Sequence, residues 1–239
     1  MYLCYFRRDK MAKKPVVKVS YDLTPAQDMI QFMLKHSFFH KQVTQIPETM
    51  MFKNDVDFSV MEKALNIEIE RNDCLRLRFF KEKGKIKQYF LDEYKVENVP
   101  VLDFKTDKER QDYLGADAQK PVRMLKDETF RIKFFRMADG RNGIFLNVHH
   151  LVMDNAAVFI FYADLLKVYD HLKNGAEMPK PLGKFEDIIK KELAYVAKPE
   201  NLEREKQAYR EFMEKDGEPL YLGVEGPRHL EAERIKKKD

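Results

Sequence analysis

The sequence contains only two cysteines, Cys4 and Cys74, in 239 residues. Two cysteines cannot form a disulfide framework, and their scarcity fits the reducing conditions of the cytoplasm. No apolar run approaches the roughly 20 residues that a membrane-spanning helix needs. The first ten residues have too short an apolar part, followed by charge, to form a convincing signal peptide. These absences predict a cytoplasmic protein without a membrane span.

The sequence also lacks a large excess of one charge. Its formal net charge is +4, and basic and acidic residues are interspersed. This pattern does not favour nucleic acid as a partner, because nucleic acid attracts clustered basic residues. There is no internal repeat and no low-complexity tract. The hydrophobic content of 44% is sufficient for the core of one or two domains.

Signatures of covalent and metal catalysis are missing as well. The sequence has no Gly-x-Ser-x-Gly nucleophile elbow and no catalytic cysteine signature. His36 and His40 have a spacing that can place two metal ligands on one helical face. No Glu or Cys accompanies them in a metal-binding pattern, so we predict no metal site.

The most informative stretch has two adjacent histidines, His149 and His150, followed by Asp154. The apolar run 143–148 precedes them and is predicted as a buried strand, and the amphipathic segment 155–173 is predicted as a helix. Successive side chains on a strand point to opposite faces. We therefore expect one histidine to face a cavity and the other to pack behind it. Asp154 falls where a helix N-cap belongs.

Hydrophobic periodicity elsewhere predicts helices that alternate with strands. Further helices are predicted at 24–36, 59–71, 107–119, 185–196 and 201–215. Further strands are predicted at 46–54, 74–80, 86–91, 97–104 and 130–137. This order favours an α/β fold with a mixed sheet flanked by helices.

Two of these helices have capping boxes at their predicted starts. Thr24 can cap the first helix, with Pro25 in the first turn and Gln27 completing the box. Ser59 and Glu62 form the second pair. The apolar side of the first helix is predicted to contain Met29, Ile30, Met33 and Leu34.

The histidine stretch resembles the His-His-x-x-x-Asp-Gly motif of nonribosomal peptide synthetase condensation domains. These domains belong to the chloramphenicol-acetyltransferase-like acyltransferases. His149, His150 and Asp154 match the motif, whereas Asn155 stands where the family has glycine. Asn155 can keep the turn, because asparagine tolerates left-handed conformations, but it can also narrow the space for a substrate.

Three further segments resemble motifs of the same family. The pair Ala26-Gln27, with Phe32 and Leu34 downstream, is similar to Ser-x-Ala-Gln-x-x-hydrophobic-aromatic-x-Leu, with the aromatic residue shifted by one position. The segment 71–79 is similar to Arg-His-Glu-x-Leu-Arg-Thr-x-Phe and retains Arg71, Leu75, Arg76 and Phe79. The segment 185–188 keeps only Asp187 of the motif Tyr-x-Asp-Tyr.

The resemblance implies one lobe of a two-lobe fold whose active site lies in a tunnel between the lobes. It covers residues 20–225 and corresponds to the first lobe and the crossover. The expected domains are an extension at 1–19, a lobe at 20–175, and a helical crossover with a charged tail at 176–239. Met11 resembles a natural start. The second lobe is predicted to be absent, which indicates a fragment, a split gene or a stand-alone lobe.

The resemblance also implies the chemistry. The family joins an acyl thioester, carried on the phosphopantetheine of a carrier protein, to an acceptor amine, so the chain itself needs no bound cofactor. His150 is expected to act as a base or a positioning group, with His149 beside it. Asp154 is expected to form a buried ion pair with Arg71 or, as second choice, with Arg76.

The expected partners are a carrier protein and a second lobe or downstream synthetase domains, with self-association through an apolar inter-lobe face. Two alternatives stay open. One is a coenzyme A-dependent acyltransferase of the same superfamily, whose members usually lack the first histidine. The other is a non-catalytic lobe that binds a carrier protein or a partner subunit.

Overall fold

The computed structural model describes residues 19–37, 41–53, 55–126 and 129–214. The predicted extension before residue 19 and the charged tail after residue 214 therefore lie outside the described residues. The chain forms two compact units, Met1–Ala194 and Tyr195–Asp239. The predicted end of the lobe at residue 175 stays a prediction.

Strands and helices mostly alternate along the first unit. The strands are β1 (Tyr21–Asp22), β2 (Gln45–Phe52), β3 (Leu77–Glu82), β4 (Lys85–Phe90), β5 (Val101–Phe104), β6 (Phe130–Met137) and β7 (Asn142–His149). The helices are α1 (Pro25–His36), α2 (Phe58–Arg71), α3 (Asp107–Ala118), α4 (Asn155–Asn174) and α5 (Phe185–Val196), the last two residues of which belong to the second unit.

The larger sheet has four strands in the order β2-β7-β6-β5. β7 pairs antiparallel with β2 and with β6, whereas β5 and β6 are parallel. Helices pack on this sheet from both sides. The predicted α/β fold with a mixed sheet flanked by helices is therefore confirmed.

All eight residues of β7 are buried, because both faces of the strand are covered. Ile144, Leu146 and Val148 point into the main core, which they share with α2 and α4. Phe145 points the other way into a smaller core with Leu114 of α3. Burying each of these large side chains contributes about 1.5–3 kcal/mol. β7, which ends at His149, is thus the most completely buried strand of this sheet.

Gly143 allows the start of β7 to pack this closely. A Cβ atom at this position would overlap the ring of Phe135 and the carbonyl oxygen of Met50. Any larger residue would force these two neighbouring strands away from β7.

The smaller sheet has the order β1-β4-β3 and is antiparallel throughout. A hairpin turn joins β3 to β4. Lys83 and Gly84 both have positive φ, 47° and 87°, as a type I′ turn requires. This sheet brings β4 next to α1.

The first capping box is confirmed and the second is wrong. Thr24 caps α1, and Gln27 returns a bond to the Thr24 backbone. α2 begins one residue earlier than predicted, because Asp57 is its N-cap and accepts from the N–H groups of Ser59 and Val60. The carboxylate of Asp57 therefore caps α2, and not the hydroxyl of Ser59 as predicted.

The apolar side predicted for α1 is only partly correct. Ile30 is buried, but Met29 and Met33 are 60% and 44% exposed. The buried polar residue Gln27 takes the place facing the core, because it has hydrogen-bond partners there.

The strand predicted at 74–80 begins later, at Leu77. Residues 73–76 form a 3-10 turn, which begins with the Leu75 N–H donating to the Asn72 carbonyl. The Arg76 guanidinium donates to the carbonyls of Ile69 and Glu70, 2.6 Å from each. Arg76 therefore lies in this turn and not in the predicted strand. Its side chain satisfies backbone carbonyls that would otherwise lack a partner at the end of α2.

In the second unit, α6 spans Pro199–Glu214. Asn201 is buried at its start, and its side-chain amide donates to the Tyr195 carbonyl at 2.8 Å. No helix in the described part of the chain is both long and apolar enough to cross a bilayer.

Candidate functional site

The two histidines lie where β7 meets the turn before α4. His149 is the last residue of β7 and is 1% exposed. His150 follows in the turn, is half-buried, and lines a cavity of about 510 Å³. One histidine therefore faces a cavity and the other packs behind it, as the strand geometry predicted.

The hydrogen bonds of His149 fix its tautomer. Its Nδ1 accepts from the backbone N–H of Leu151 at 3.2 Å, so the proton must reside on Nε2. Nε2 lies 3.1 Å from Oγ1 of Thr44 and donates to it. Burial, with a smaller contribution from neighbouring His150, lowers the pKa of His149 to about 4. His149 is therefore uncharged, and its two side-chain hydrogen bonds stabilise the turn that presents His150.

Backbone hydrogen bonds hold the same turn. The His149 N–H donates to the Thr129 carbonyl, and the His150 N–H donates to the Thr44 carbonyl, both at 2.8 Å. The Val152 N–H donates back to the His149 carbonyl at 2.9 Å. The backbone at His149 and His150 is thus held by hydrogen bonds to Thr129 and Thr44, which lie outside β7 and the turn.

Gln27 supports the turn from α1. Its side-chain amide donates to the Leu151 carbonyl at 2.9 Å and exchanges two hydrogen bonds with Gln88 of β4. Gln88 is fully buried and also donates to the Asp22 carbonyl. Gln27 could be identified from its motif, whereas Gln88 belongs to no motif and was not predicted. An amide in the middle of a predicted strand was the available signal.

Asp154 is the N-cap of α4, as predicted. Its side chain accepts from the Ala157 N–H at 2.7 Å, and the residue is exposed. The predicted ion pair is wrong, because among the described residues neither Arg71 nor Arg76 pairs with Asp154. Asp154 lies at the start of α4, whereas the partner of Arg71 lies nearly three helical turns further along.

Asp154→Ala is expected to lower the free energy of unfolding by only about 1 kcal/mol, the usual value for a lost N-cap. Asp154→Asn is the matched control, because asparagine caps as well as aspartate but cannot form an ion pair. It should unfold at nearly the wild-type denaturant concentration. A large loss in Asp154→Asn would show that the charge matters after all.

Arg71 fastens α2 to α4 and to the segment after α4. Its Nη2 lies 3.0 Å from Oδ2 of Asp164. The same guanidinium donates to the carbonyls of Pro179 and Lys180 at 2.9 and 3.0 Å. Glu68, one turn earlier on α2, lies 3.7 Å from Arg71 Nε and is fully buried. Arg71, Asp164 and Glu68 do not line the cavity, so we assign this cluster a structural role.

Burial raises the pKa of Glu68 to about 8, nearby Asp164 adds to the rise, and Arg71 opposes it. The folded protein therefore keeps Glu68 protonated at pH values where the unfolded chain ionises it. A raised carboxyl pKa destabilises the fold progressively as pH rises from the unfolded pKa, about 4.5, towards 8.

Glu68→Gln should therefore stabilise the protein more at pH 8 than at pH 5. Thermal melts across this range measure the effect. Glu70→Gln, an exposed position on the same helix, is the control and should show no such trend. An equal effect of Glu68→Gln at both pH values would contradict the raised pKa.

Asp73 connects the segment 71–79 to α5. Its carboxylate accepts from the N–H groups of Phe185 and Glu186 at 2.7 and 3.0 Å, and so caps α5 from a distance. Its neighbour Cys74 lines the cavity, but burial raises the pKa of the thiol to about 12. Cys74 is therefore a neutral thiol and a poor nucleophile.

The cavity beside His150 is bounded by four parts of the chain. These are the first turns of α1, residues 72–74, the turn at 150–154 with the start of α4, and residues 182–192, including much of α5. All four segments with sequence motifs therefore contribute residues to one cavity.

A family model for the condensation domain matches residues 17–219, which is most of the chain. The chain belongs to the condensation domain family. Surfactin synthase subunit 1 of Bacillus subtilis (strain 168) is 25% identical over 227 residues, covering 91% of this chain and 6% of that protein.

Solved condensation domains share the fold. A variant of the starter condensation domain of rhizomide synthetase RzmA, in complex with C8-CoA, has a TM-score of 0.75 at 20% identity, covering 85% of this chain and 48% of that chain. The first condensation domain of the calcium-dependent antibiotic synthetase has a TM-score of 0.71 at 21% identity, covering 85% and 51%. This is the chloramphenicol-acetyltransferase-like fold, and the chain spans about half the length of these two domains.

Asn155 departs from the condensation domain motif without distorting the turn. It is the first residue of α4, it is exposed, and its φ is not positive. The residues that line the cavity include Asp154 and Ala157 but not Asn155. Neither a left-handed conformation nor a narrowed cavity is therefore found at this position.

Asp187 and His36, two further residues named from the sequence, do not line the cavity. Asp187, the least supported motif match, is in the first turn of α5 and exposed. His40 lies outside the described residues, and Nδ1 of His36 lies 2.8 Å from the Phe32 carbonyl oxygen. Among the described residues, no group of three His, Cys, Asp or Glu side chains could hold a metal.

Proposed function

We propose that this chain provides the histidine-bearing half of a condensation site that forms an amide, or an ester, from an acyl thioester. The acyl group is carried on the phosphopantetheine of a carrier protein, and the acceptor is an amine, or an alcohol where an ester forms. The observation that supports this best is the placement of His150 on the cavity, with neutral His149 fixed behind it.

In this proposal His150 removes the proton from the acceptor amine as nitrogen attacks the thioester carbonyl, or positions the amine for that attack. The C–S bond then breaks, and the pantetheine sulfur leaves as a thiolate that takes up the proton lost by the amine. Histidine suits either role because it exchanges protons near neutral pH. The thioester is already activated, so the reaction needs no nucleophilic side chain, which agrees with the neutral state of Cys74.

The proposed partners are a carrier protein and the remaining half of a condensation domain. The support is that the relatives named above are synthetases and that the chain covers about half of the solved domains. A two-sided site holds both reactants together, and most of that advantage is lost when one wall is missing.

We propose a cytoplasmic location, consistent with the free thiol of Cys74.

A second candidate is transfer from a coenzyme A thioester. The observation that favours it is the structural similarity to a condensation domain in complex with C8-CoA. Phosphopantetheine is the shared part of both donors, so the same cavity could serve either one.

A condensation assay tests the proposal. The 239-residue chain is mixed with an acyl-loaded carrier protein and an amine, with and without a second polypeptide that supplies the other half of the domain. Mass spectrometry measures the amide. We expect His150-dependent product only with the second polypeptide, and acyl-coenzyme A replaces the carrier to test the second candidate. Product that does not depend on His150 would contradict the proposal.

A further inference from the structure

The cavity beside His150 collects exposed apolar side chains from different elements. Met29 of α1, Ile160 of α4, Ile188 of α5 and Leu182 before α5 line it, and they are 60%, 53%, 45% and 37% exposed. Single exposed apolar residues are ordinary, but a group around one concave site indicates a ligand. The core does not require these side chains, since α1, α4 and α5 each bury other apolar residues, such as Ile30, Phe161 and Ile189.

The polar groups around the cavity are largely engaged within the protein. Gln27 bonds Gln88 and the Leu151 carbonyl. Asp73 caps α5, and Asp154 caps α4. They are therefore poorly placed to compensate a polar or charged ligand for its lost water.

Apart from Asp73 and Asp154, the cavity lining contains one lysine and one glutamate, Lys184 and Glu192. They have opposite signs and lie on either side of Ile188, four residues from it in each direction. Glu192 lies on α5 with Ile188, about 6 Å further along the helix axis, and Lys184 directly precedes the helix. The charges therefore border an apolar middle and favour neither an anionic nor a cationic acyl group.

From these observations we infer that the cavity is an acyl-binding pocket selective for an apolar acyl chain next to the thioester carbonyl. The inference rests on the proposed function, because His150 defines which end of the ligand reacts. A volume of about 510 Å³ suits a small-molecule ligand, for which pockets are typically about 300–1,000 Å³.

Direct binding tests the inference separately from catalysis. The probes are acyl-pantetheine analogues in which an amide replaces the thioester, with acetyl, hexanoyl or succinyl as the acyl group. Calorimetry on the full 239-residue chain measures Kd. Hexanoyl should bind at least about 10-fold more tightly than acetyl, because each buried methylene contributes favourably. Succinyl should bind at least about 10-fold more weakly than hexanoyl, because its carboxylate would lose water in the apolar middle of the cavity.

Matched variants locate the site. Ile160→Asp should weaken hexanoyl binding at least about 10-fold by placing a carboxylate in the pocket. Phe159→Asp is the control, because Phe159 is also exposed on α4, at 59%, but does not line the cavity. It should leave Kd within about twofold. Both positions are exposed, so both variants should fold, and circular dichroism checks this.

The outcomes separate the two proposals. Hexanoyl binding that persists in His150→Ala, together with no amide formation by the wild type even when the second polypeptide is present, would keep the pocket and reject the reaction. No chain-length preference, equal succinyl binding, or equal effects of Ile160→Asp and Phe159→Asp would overturn the pocket. A dimer that Ile160→Asp dissociates, seen by analytical ultracentrifugation, would also overturn it, because a second copy would then cover these side chains.

Discussion

His150→Ala is expected to reduce amide formation about 100- to 10,000-fold, the range typical of a lost general acid or base. The expected cause is loss of the imidazole that faces the cavity. Because His150 is only half-buried, its replacement should change thermal stability little. Single-turnover rates, measured under conditions in which the wild type is active, separate this chemical loss from weaker binding.

His149→Ala is the matched comparison for that experiment. It would leave the Leu151 N–H without its acceptor in a buried site, which typically costs about 1–3 kcal/mol. The two variants should therefore differ. His150→Ala should lower the rate of amide formation, whereas His149→Ala should lower the free energy of unfolding as well. Near-normal turnover in His150→Ala would exclude a role for its imidazole in the proposed reaction. Equal thermal melts for the two variants would contradict the bracing role of His149.

Local signals in the sequence were sufficient for the elements that present the histidines. The run before His149 is apolar at nearly every position because β7 is covered on both faces. The cap at Asp154 and the end of α4 at Gly175, which has a φ of 74°, are each determined by one or two neighbouring residues. Such features can be predicted because the residues that interact are close in the chain.

The predictions that failed required knowledge of tertiary contacts. Arg71 was assigned to Asp154, but Asp164 is the carboxylate that α4 places opposite the end of α2. Met29 looked like a core residue of α1, yet Gln27 faces the core because Gln88 of a distant strand satisfies its amide. Periodicity shows which residues share a helical face, but not which buried polar partners that face will meet.

Arg71→Met is expected to lower the free energy of unfolding by about 3–5 kcal/mol, as for one partner removed from a buried ion pair. Methionine keeps an unbranched apolar stem but has no positive charge. The buried carboxyl groups of Asp164 and Glu68 would lose the guanidinium, and the carbonyls of Pro179 and Lys180 would lose their donor. Urea denaturation with a two-state analysis measures the change.

Arg71→Lys is the informative control, because it keeps the charge but cannot reproduce the fork that reaches Asp164 and two carbonyls at once. Its loss should be intermediate. The triple replacement Arg71→Met, Asp164→Leu and Glu68→Leu should recover much of the stability, since an apolar substitute for a buried ion cluster is often neutral. If Arg71→Met unfolds within about 1 kcal/mol of wild type, the cluster does not hold α2 to α4.

Arg71→Met is also expected to affect the cavity. The segment that Arg71 holds, 179–180, leads directly to Leu182 and to the start of α5, both of which line the cavity. Hydrogen exchange should therefore rise in the first turn of α5 more than in β7, which is buried along its whole length. Hexanoyl-pantetheine amide should also bind more weakly to Arg71→Met, although Arg71 itself does not line the cavity. Unchanged exchange in α5 would show that the Asp73 cap alone is sufficient to hold that wall.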